Sequence, residues 1–335
     1  MNSRLRTAPR TRRIVVCAVC VLALGAAITA SLLFGTRAVS AVTVWQALTH
    51  PDAADPGQQV VTGLRVPRTI IGIIAGAILG LAGTLSQGVS RNPLADPGLL
   101  GMSAGASLAV VVAIAFCGIT SPAGYIWFAF VGTAVAASLV FSIGRGQPAR
   151  VALAGAALTA LFTPLIGLIL LRNTDAFNQY RFWAMGSLTG RDLSAVSAVW
   201  PFAVLGVLLA LGMVNRLNLL ALGDDVARSL GQRVGFTHAV SGISLILLCG
   251  VATALAGPLA LIGLVVPHAA RRLVGHDYRW IGPLSLVLGS TLLLGADTIG
   301  RLVVPNTELE AGVVTAFLGA PILIAIARSR RVAGL

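Results

Sequence analysis

Long uncharged apolar runs are the feature of this sequence that most restricts its fold. Residues 97–144 contain no charged side chain, and this run is more than twice the roughly 20 residues that one membrane-spanning helix needs. Charged residues make up only 10% of the 335-residue chain and hydrophobic residues 56%, whereas about 25% of a typical soluble domain is charged. Because lipid offers no water to satisfy the backbone, these runs predict an all-α membrane protein.

Charges and helix-breaking residues divide the apolar runs into predicted spans. Residues 97–144 and 234–270 are each too long for one helix, and they break at residues 118–124 and at Gly257-Pro258. Each remaining run fits one helix: residues 14–36, 69–90, 151–171, 193–215, 280–304 and 311–327. The sequence therefore predicts ten transmembrane helices.

The arginines give the predicted orientation. All 24 basic residues are arginine, and basic residues are concentrated in cytoplasmic loops. We therefore predict one domain, residues 14–327, flanked by cytoplasmic tails at residues 1–13 and 328–335. With this orientation the only arginines outside are Arg37, Arg65, Arg68, Arg172, Arg181, Arg191 and Arg301.

The composition excludes several kinds of chemistry. Lysine is absent, and a Walker A loop needs a lysine, so any ATP must be bound by another subunit. The arginines alternate with apolar runs and do not form one patch, which argues against nucleic-acid binding. Cys17 and Cys20 lie one helical turn apart in an apolar run, where packing is favoured over metal binding. We expect no catalytic residue, no metal and no cofactor bound directly.

Ionisable residues within the predicted spans are nearly absent. Asp297 lies four residues before Arg301, so the two side chains can pair on one helix face. A proton- or ion-driven carrier is expected to hold ionisable residues near mid-membrane. No histidine lies near mid-span; the four are His50, His238, His268 and His276. This pattern disfavours an ion-coupled secondary transporter, which remains the alternative from another class.

A stripe of small residues follows one face of the second predicted span. Its members are Gly72, Gly76, Gly80, Thr84 and Gly88. Small residues at four-residue spacing let two helix backbones approach closely. The stripe therefore indicates either tight helix packing or a smooth pathway wall along which cargo moves, and the sequence leaves both open.

A short amphipathic segment lies in the predicted cytoplasmic loop at residues 216–235. Asp224 is a candidate helix N-cap, and Gly231 is a candidate stop. The segment also carries Leu219, Leu220 and Leu222, which a solvated loop does not need. We expect it to dock on another protein, with a helix lying on the lipid surface as the alternative.

Five motifs together resemble one known family. They lie at residues 65–69, 92–101, 257–271, 296–301 and 310–321. In number and order they are similar to those of the permease subunit of iron-siderophore and cobalamin ABC importers, the type II importer family. The resemblance extends from about residue 36 to the C-terminus.

This resemblance implies an architecture and a set of partners. It implies ten helices with both termini inside, in the cytoplasmic membrane of a bacterium. A second permease, identical or paralogous, completes the pathway, and two ATPase subunits that use ATP and Mg dock below. An extracytoplasmic binding protein delivers the cargo. The chain itself is then a translocation subunit and not an enzyme.

The resemblance also implies roles for particular residues. The cytoplasmic gate matches Asn92, Pro93 and Leu94. Arg65, Arg68 and Arg301 match the family's arginines that receive acidic residues of the binding protein. These arginines could also anchor the chain at the membrane interface. The ATPase coupling helix matches Leu222, Gly223, Asp224, Asp225, Ala227, Arg228, Leu230 and Gly231. A second gate position in the turn at residues 144–150 has no clear match.

The expected cargo is a ferric siderophore, with cobalamin or haem as alternatives in the same class. Aromatic residues make up 6% of the chain and glycines number 38, which suits a wide pathway. The expected mechanism is alternating access, in which the ATPase moves the coupling helix.

Overall fold

The computed structural model describes residues 10–119, 121–144, 147–304 and 307–328. Every regular element in these ranges is helical. The helices are α1 (Arg10–Leu33), α2 (Ala41–Thr49), α3 (Pro56–Val60), α4 (Val66–Ser90), α5 (Met102–Cys117), α6 (Pro122–Gly144), α7 (Pro148–Arg172), α8 (Thr174–Ala184), α9 (Leu193–Leu220), α10 (Asp224–Ser229), α11 (Val234–Ala256), α12 (Ile262–Val274), α13 (Tyr278–Val303) and α14 (Ala311–Arg328).

Seven helices in the described part of the chain are long and apolar enough to cross a membrane. They are Arg10–Leu33, Pro56–Ser90, Gly124–Gly144, Arg150–Arg172, Leu193–Leu220, Val234–Ala256 and Tyr278–Val303. The other three predicted spans contain α5, α12 and α14, which are shorter or less completely described. The 13 residues of α12 rise only about 20 Å, against a hydrocarbon core of about 30 Å. Ten crossings therefore stay a prediction.

Both predicted breaks within the long apolar runs are confirmed. Helix α5 ends at Cys117, where Gly118 adopts a φ of 65° that an L side chain rarely tolerates. Helix α11 ends at Ala256, and Gly257 has a φ of 75°. The chain then remains non-helical until Ile262.

Two predicted boundaries are wrong because polar residues at the helix ends find partners within the protein. The second apolar helix begins at Pro56, not at residue 69, since the π-helical turn Val61–Arg65 joins α3 to α4 without a break. Helix α9 continues to Leu220 and takes up the start of the predicted cytoplasmic segment. Near that end, the Asn218 amide donates to Asp277 at 2.8 Å.

Helix α4 lies at the centre of the bundle and packs against α9, α11, α12 and α13. Its buried face includes Ile71, Leu81 and Leu85. In contrast, most of α1 and α7 is exposed. Apolar side chains such as Leu22 and Leu171 remain outside the protein core on these helices, which is what helices next to lipid require.

Contacts between distant segments divide the molecule into two ends. At one end, α9 contacts the start of α13 through Asn218 and Asp277. At the other end, Arg301 near the end of α13 donates to the Ser31 carbonyl oxygen near the end of α1 at 3.1 Å. The segments grouped at each end agree with the predicted alternation of cytoplasmic and exterior loops. Which end faces the cytoplasm stays a prediction.

Candidate functional site

A large cavity lies beside the predicted gate. Its volume is about 1370 Å³, and it is bounded by the end of α4, the turn after it, α6, α7 and α11. Ser86, Asn92 and Leu94 line one side. Thr159 of α7 and His238 of α11 line others. This volume exceeds the roughly 300–1,000 Å³ of most small-molecule sites, so the cavity has room for a large ligand.

The predicted gate is a tight turn fixed by its own side chains. The Asn92 side-chain oxygen accepts from the Leu94 N–H at 2.9 Å, and the Asn92 carbonyl oxygen accepts from the Ala95 N–H at 3.1 Å. Pro93 restricts the backbone between them. Asn92 and Leu94 both line the cavity. The turn is therefore placed where a gate could close the cavity, and its role as a gate stays a prediction.

The turn at residues 144–150, where the sequence offers no match to a second gate position, lies partly outside the described residues. The structure describes Gly144 at the end of α6 and Gln147 just before α7, but not residues 145–146. The Gln147 N–H donates to the Gly144 carbonyl oxygen at 2.9 Å.

A short helix, α10, lies where the coupling helix was predicted, but its start differs from the prediction and its coupling role stays a prediction. Gly223, with a φ of 103°, is the N-cap, and Asp224 is the first helical residue. Because Asp224 lies inside the helix and Gly223 occupies the cap position, the predicted cap is wrong. The Asp224 carboxylate instead lies 3.4 Å from the Arg91 guanidinium. A glycine fits the N-cap because its positive φ is unfavourable for a side chain.

The predicted stop of this helix at Gly231 is confirmed. Gly231 has a φ of 83°. Its N–H donates to the Arg228 carbonyl oxygen at 2.9 Å, and the Gln232 N–H donates to the Ala227 carbonyl oxygen at 3.0 Å. These two bonds form a Schellman motif. The sequence signal of a glycine after the last helical turn was sufficient here.

One face of the coupling helix and its flanks is apolar and exposed. Ala227 is fully buried against the bundle, whereas Leu222 and Leu230 are each 59% exposed. Val226 is exposed between them. Asp225 and Arg228 form a surface ion pair at 3.1 Å. Exposed apolar patches of this kind mark contact surfaces for a protein or a membrane, so docking on another protein stays a prediction, with a helix lying on the lipid surface as the alternative.

At the opposite end, Arg68 is the centre of a buried ion-pair network. Its Nε lies 3.0 Å from both carboxylate oxygens of Asp297, and its Nη2 lies 2.7 Å from Oδ1. Its Nη1 contacts Glu308 at 2.6 Å. Asp297 is completely buried. The predicted pair of Asp297 with Arg301 is also present at 3.2 Å, so Asp297 serves two arginines.

The other two predicted docking arginines bind backbone carbonyl groups within the protein. Arg65 donates to the carbonyl oxygens of Leu32 and Leu33 at 2.7 and 2.8 Å. Arg301 donates to the carbonyl oxygens of Ser31 and Phe34 at 3.1 and 3.0 Å. Both therefore hold the C-terminal end of α1, whose last carbonyl groups have no helical partner.

These contacts change what the docking prediction requires. Arg65, Arg68 and Arg301 are at most 8% exposed, so they are not at the surface in this conformation. A binding protein can reach them only if the network opens. Docking by these arginines stays a prediction, and simple anchoring at the membrane interface does not describe side chains that are bonded internally.

The small-residue stripe packs against other helices. A Cβ atom on Gly76 or Gly80 would meet the backbone of α13 at Gly289 or Ser285, closer than van der Waals contact. Thr84 donates to the Ser285 hydroxyl at 2.9 Å. All five stripe residues are buried, and none of them lines the cavity. The packing interpretation is therefore confirmed, and a pathway wall would require α4 and α13 to separate.

Sequence reasoning missed two acidic residues next to the network. Glu308 contacts both Arg68 and the Thr189 hydroxyl, the latter at 3.3 Å. Burial raises the pKa of Glu310, and the Ser187 hydroxyl and the charge of Arg68 oppose this. The acidic spacing Glu308-x-Glu310 was visible in the sequence. The partners were not, because Arg68 lies on a helix far away in the chain.

Comparisons with known proteins agree with this architecture. The model of the FecCD transport family matches residues 21–329 of this chain. The ferric enterobactin transport system permease protein FepD of Escherichia coli (strain K12) is 45% identical, covering 90% of this chain and 91% of that protein. The hemin transport system permease protein HmuU of Yersinia pestis is 36% identical, covering 90% of each chain.

A solved structure shows the same fold. An inward-facing metal-chelate type ABC transporter superposes with a TM-score of 0.81 at 27% identity, covering 93% of this chain and 98% of that chain. The resemblance to importer permeases that the motifs indicated is thereby confirmed. With its several apolar spans, the chain is a multi-pass membrane protein, and it belongs to the FecCD transport family.

Proposed function

We propose that the chain is the membrane-spanning permease subunit of an ATP-driven importer for a ferric siderophore. The observation that carries this proposal is the placement of the exposed apolar coupling helix next to the turn that borders the large cavity. Membership of the FecCD transport family supports the transport class. The 45% identical ferric enterobactin permease supports the cargo.

The proposed assembly contains further subunits. A second permease, identical or paralogous, completes the pathway, and two ATPase subunits bind ATP and Mg. An extracytoplasmic binding protein delivers the chelate, and the assembly lies in the cytoplasmic membrane of a bacterium with both termini of the ten-span permease inside. This chain makes and breaks no bond; it provides the pathway and moves between outward-open and inward-open states.

An uptake experiment tests the proposal and its rivals. Cells lacking this gene, with and without a plasmid copy, are given ferric enterobactin, hemin or cobalamin, each radiolabelled. Restored uptake of the ferric chelate is the expected result. Restored uptake of hemin or cobalamin alone would still support an importer, but its cargo would then be hemin or cobalamin and not a ferric siderophore.

The same cells distinguish ATP-driven import from ion-coupled transport. Depleting ATP is expected to abolish uptake, whereas collapsing the proton or sodium gradient at constant ATP is expected to leave it. The reverse pattern would assign the chain to the secondary transporters. Loss of uptake when the binding protein is removed would further support the importer.

Polar replacement of the exposed leucines is expected to weaken ATPase docking. Burying one leucine at an interface contributes about 1.5–3 kcal/mol, so Leu230→Ser should weaken binding roughly tenfold to a hundredfold. Leu222→Ser is expected to act similarly. The measurement is titration of the ATPase subunits against the permease in lipid nanodiscs.

The matched control is Leu64→Ser. Leu64 is 61% exposed, close to the 59% of Leu230, but lies on the π-helical turn at the opposite end. ATPase affinity unchanged in Leu230→Ser, or lowered equally in Leu64→Ser, would contradict a docking role for the coupling helix.

A further inference from the structure

An ion pair joins the coupling helix to the residue that precedes the gate turn. The Arg91 Nη2 atom lies 3.4 Å from the Asp224 Oδ1 atom. Asp224 is the first residue of α10, and Arg91 immediately precedes Asn92 of the predicted gate. The Arg91 guanidinium also lies against Gly223, where a Cβ atom would come 3.7 Å from Nη1.

The backbone at Arg91 is unusual. Arg91 ends α4 with a φ of 52° and a ψ of 24°, the left-handed conformation. In the described ranges, Leu261 is the other non-glycine residue with a positive φ. Glycine is the usual residue at such a helix end, so an arginine there accepts a less favourable backbone. An unfavourable backbone conformation of this kind is expected where the side chain has a function that glycine could not supply.

The residues on either side of Arg91 border the cavity. Ser90 and Asn92 both line it, and the Ser90 hydroxyl accepts from the Asn92 N–H at 3.3 Å. A displacement of the Arg91 guanidinium therefore acts on the backbone between two cavity-lining residues. His238, which also lines the cavity, lies near enough to Asp224 and Arg91 to feel both charges.

A second connection leads from the coupling helix into the bundle, but it does not end at the gate. The Gln232 side chain donates to the Arg216 carbonyl oxygen at 3.1 Å and to the Thr237 hydroxyl at 3.0 Å. These contacts fasten α10 to α9 and α11. Movement along this route displaces whole helices, whereas the Arg91–Asp224 pair acts on the turn itself.

We infer that the Arg91–Asp224 ion pair passes movement of the coupling helix to the gate turn, which makes Arg91 and Asp224 positioning residues for transport. This inference rests on the proposed function. The two side chains are 40% and 31% exposed, and ion pairs with this exposure add little to stability. Removing the pair is therefore expected to leave folding unchanged. ATP would still be hydrolysed, but less cargo would be transported for each ATP.

A charge-swap experiment tests the inference. The importer is purified through a tag on this chain with the subunits that accompany it, and is reconstituted in liposomes. The variants are Arg91→Asp, Asp224→Arg and the double variant carrying both changes. The readout is the amount of ferric enterobactin imported per ATP hydrolysed, together with ATPase affinity and melting temperature.

The single variants are expected to lower the import-to-hydrolysis ratio at least tenfold, while the double variant restores it to within about threefold. A merely structural role would not change this ratio. Arg279→Asp is the matched control, because Arg279 is an arginine at the same end, 66% exposed, whose ion-pair partner among the described residues is Asp277. The ratio of this control is expected to stay within twofold of wild type.

Three results would overturn the inference: single variants with a wild-type ratio, a double variant as defective as the singles, or an equal loss in Arg279→Asp. If Asp224→Arg prevents ATPase binding, the import-to-hydrolysis ratios of Arg91→Gln and Arg91→Asp test the inference without it, because Arg91 lies outside the coupling helix. Absence of ATP-dependent import by the wild-type complex would instead refute the proposed function, so the two failures are distinguishable.

Discussion

Replacing Asp297 with alanine is expected to lower the free energy of unfolding by about 3–5 kcal/mol, because it leaves buried arginine charge without its partner. Asp297 is fully buried, accepts hydrogen bonds from Arg68 and forms an ion pair with Arg301. Glu308 still contacts Arg68 in this variant, but it does not contact Arg301. The measurement is thermal unfolding in lipid nanodiscs, together with the abundance of the protein in membranes.

Two further variants test whether charge is the cause. Asp297→Asn keeps the shape and the acceptor oxygen but not the charge, so its loss of stability is expected to lie between wild type and Asp297→Ala. The double variant Arg68→Ala and Asp297→Ala is expected to lose less unfolding free energy than the sum of the two single variants. Either single change already breaks the pair, so the second change cannot break it again. The control Asp225→Ala removes a carboxylate that is 98% exposed and is expected to leave the melting temperature unchanged.

One outcome would change the role of Asp297. If Asp297→Ala folds normally and yet abolishes uptake, the carboxylate acts on cargo or on the binding protein, and the network is not primarily structural. The position of Asp297, enclosed by α4 and α13, favours the structural role. A binding protein that docks on Arg68 must compete with both Asp297 and Glu308, so reversing Arg68 would also disturb folding and could not test docking alone.

Introducing a methyl group at Gly80 is expected to destabilise the contact between α4 and α13. The added Cβ atom would meet the Ser285 carbonyl oxygen, which is backbone and cannot rotate away. Overpacking of this kind costs about 1–3 kcal/mol, and Gly80→Val should cost more than Gly80→Ala. The separation would also weaken the bond between Thr84 and Ser285.

Gly295→Ala is the matched control on α13. A Cβ atom at Gly295 meets nothing within 4 Å, and alanine favours a helix over glycine by about 1 kcal/mol. This variant is therefore expected to be as stable as wild type or slightly more so. Equal melting temperatures for Gly80→Ala and Gly295→Ala would show that α4 and α13 are not in tight contact.

Several features could be predicted because they depend on neighbours in the sequence. The breaks at Gly118 and Gly257, and the stop at Gly231, follow from backbone angles that glycine alone adopts easily. The Asp297–Arg301 pair follows from helical spacing. The start of the second apolar helix did not follow, because Arg65 and Arg68 were expected to lie outside it and are instead buried within the continuous helix Pro56–Ser90.

The sequence by itself determined that this chain is a helical membrane protein, where its main helix breaks lie, and which family it resembles, because hydropathy, glycine spacing and short motifs are properties of contiguous residues. Only the tertiary structure decided that Arg68 is the main partner of Asp297, that the glycine stripe packs on α13, and that Arg91 meets Asp224. Many polar residues could have paired with each of these groups. Which one does so depends on how the helices pack, and hydropathy along the chain carries no information about that choice.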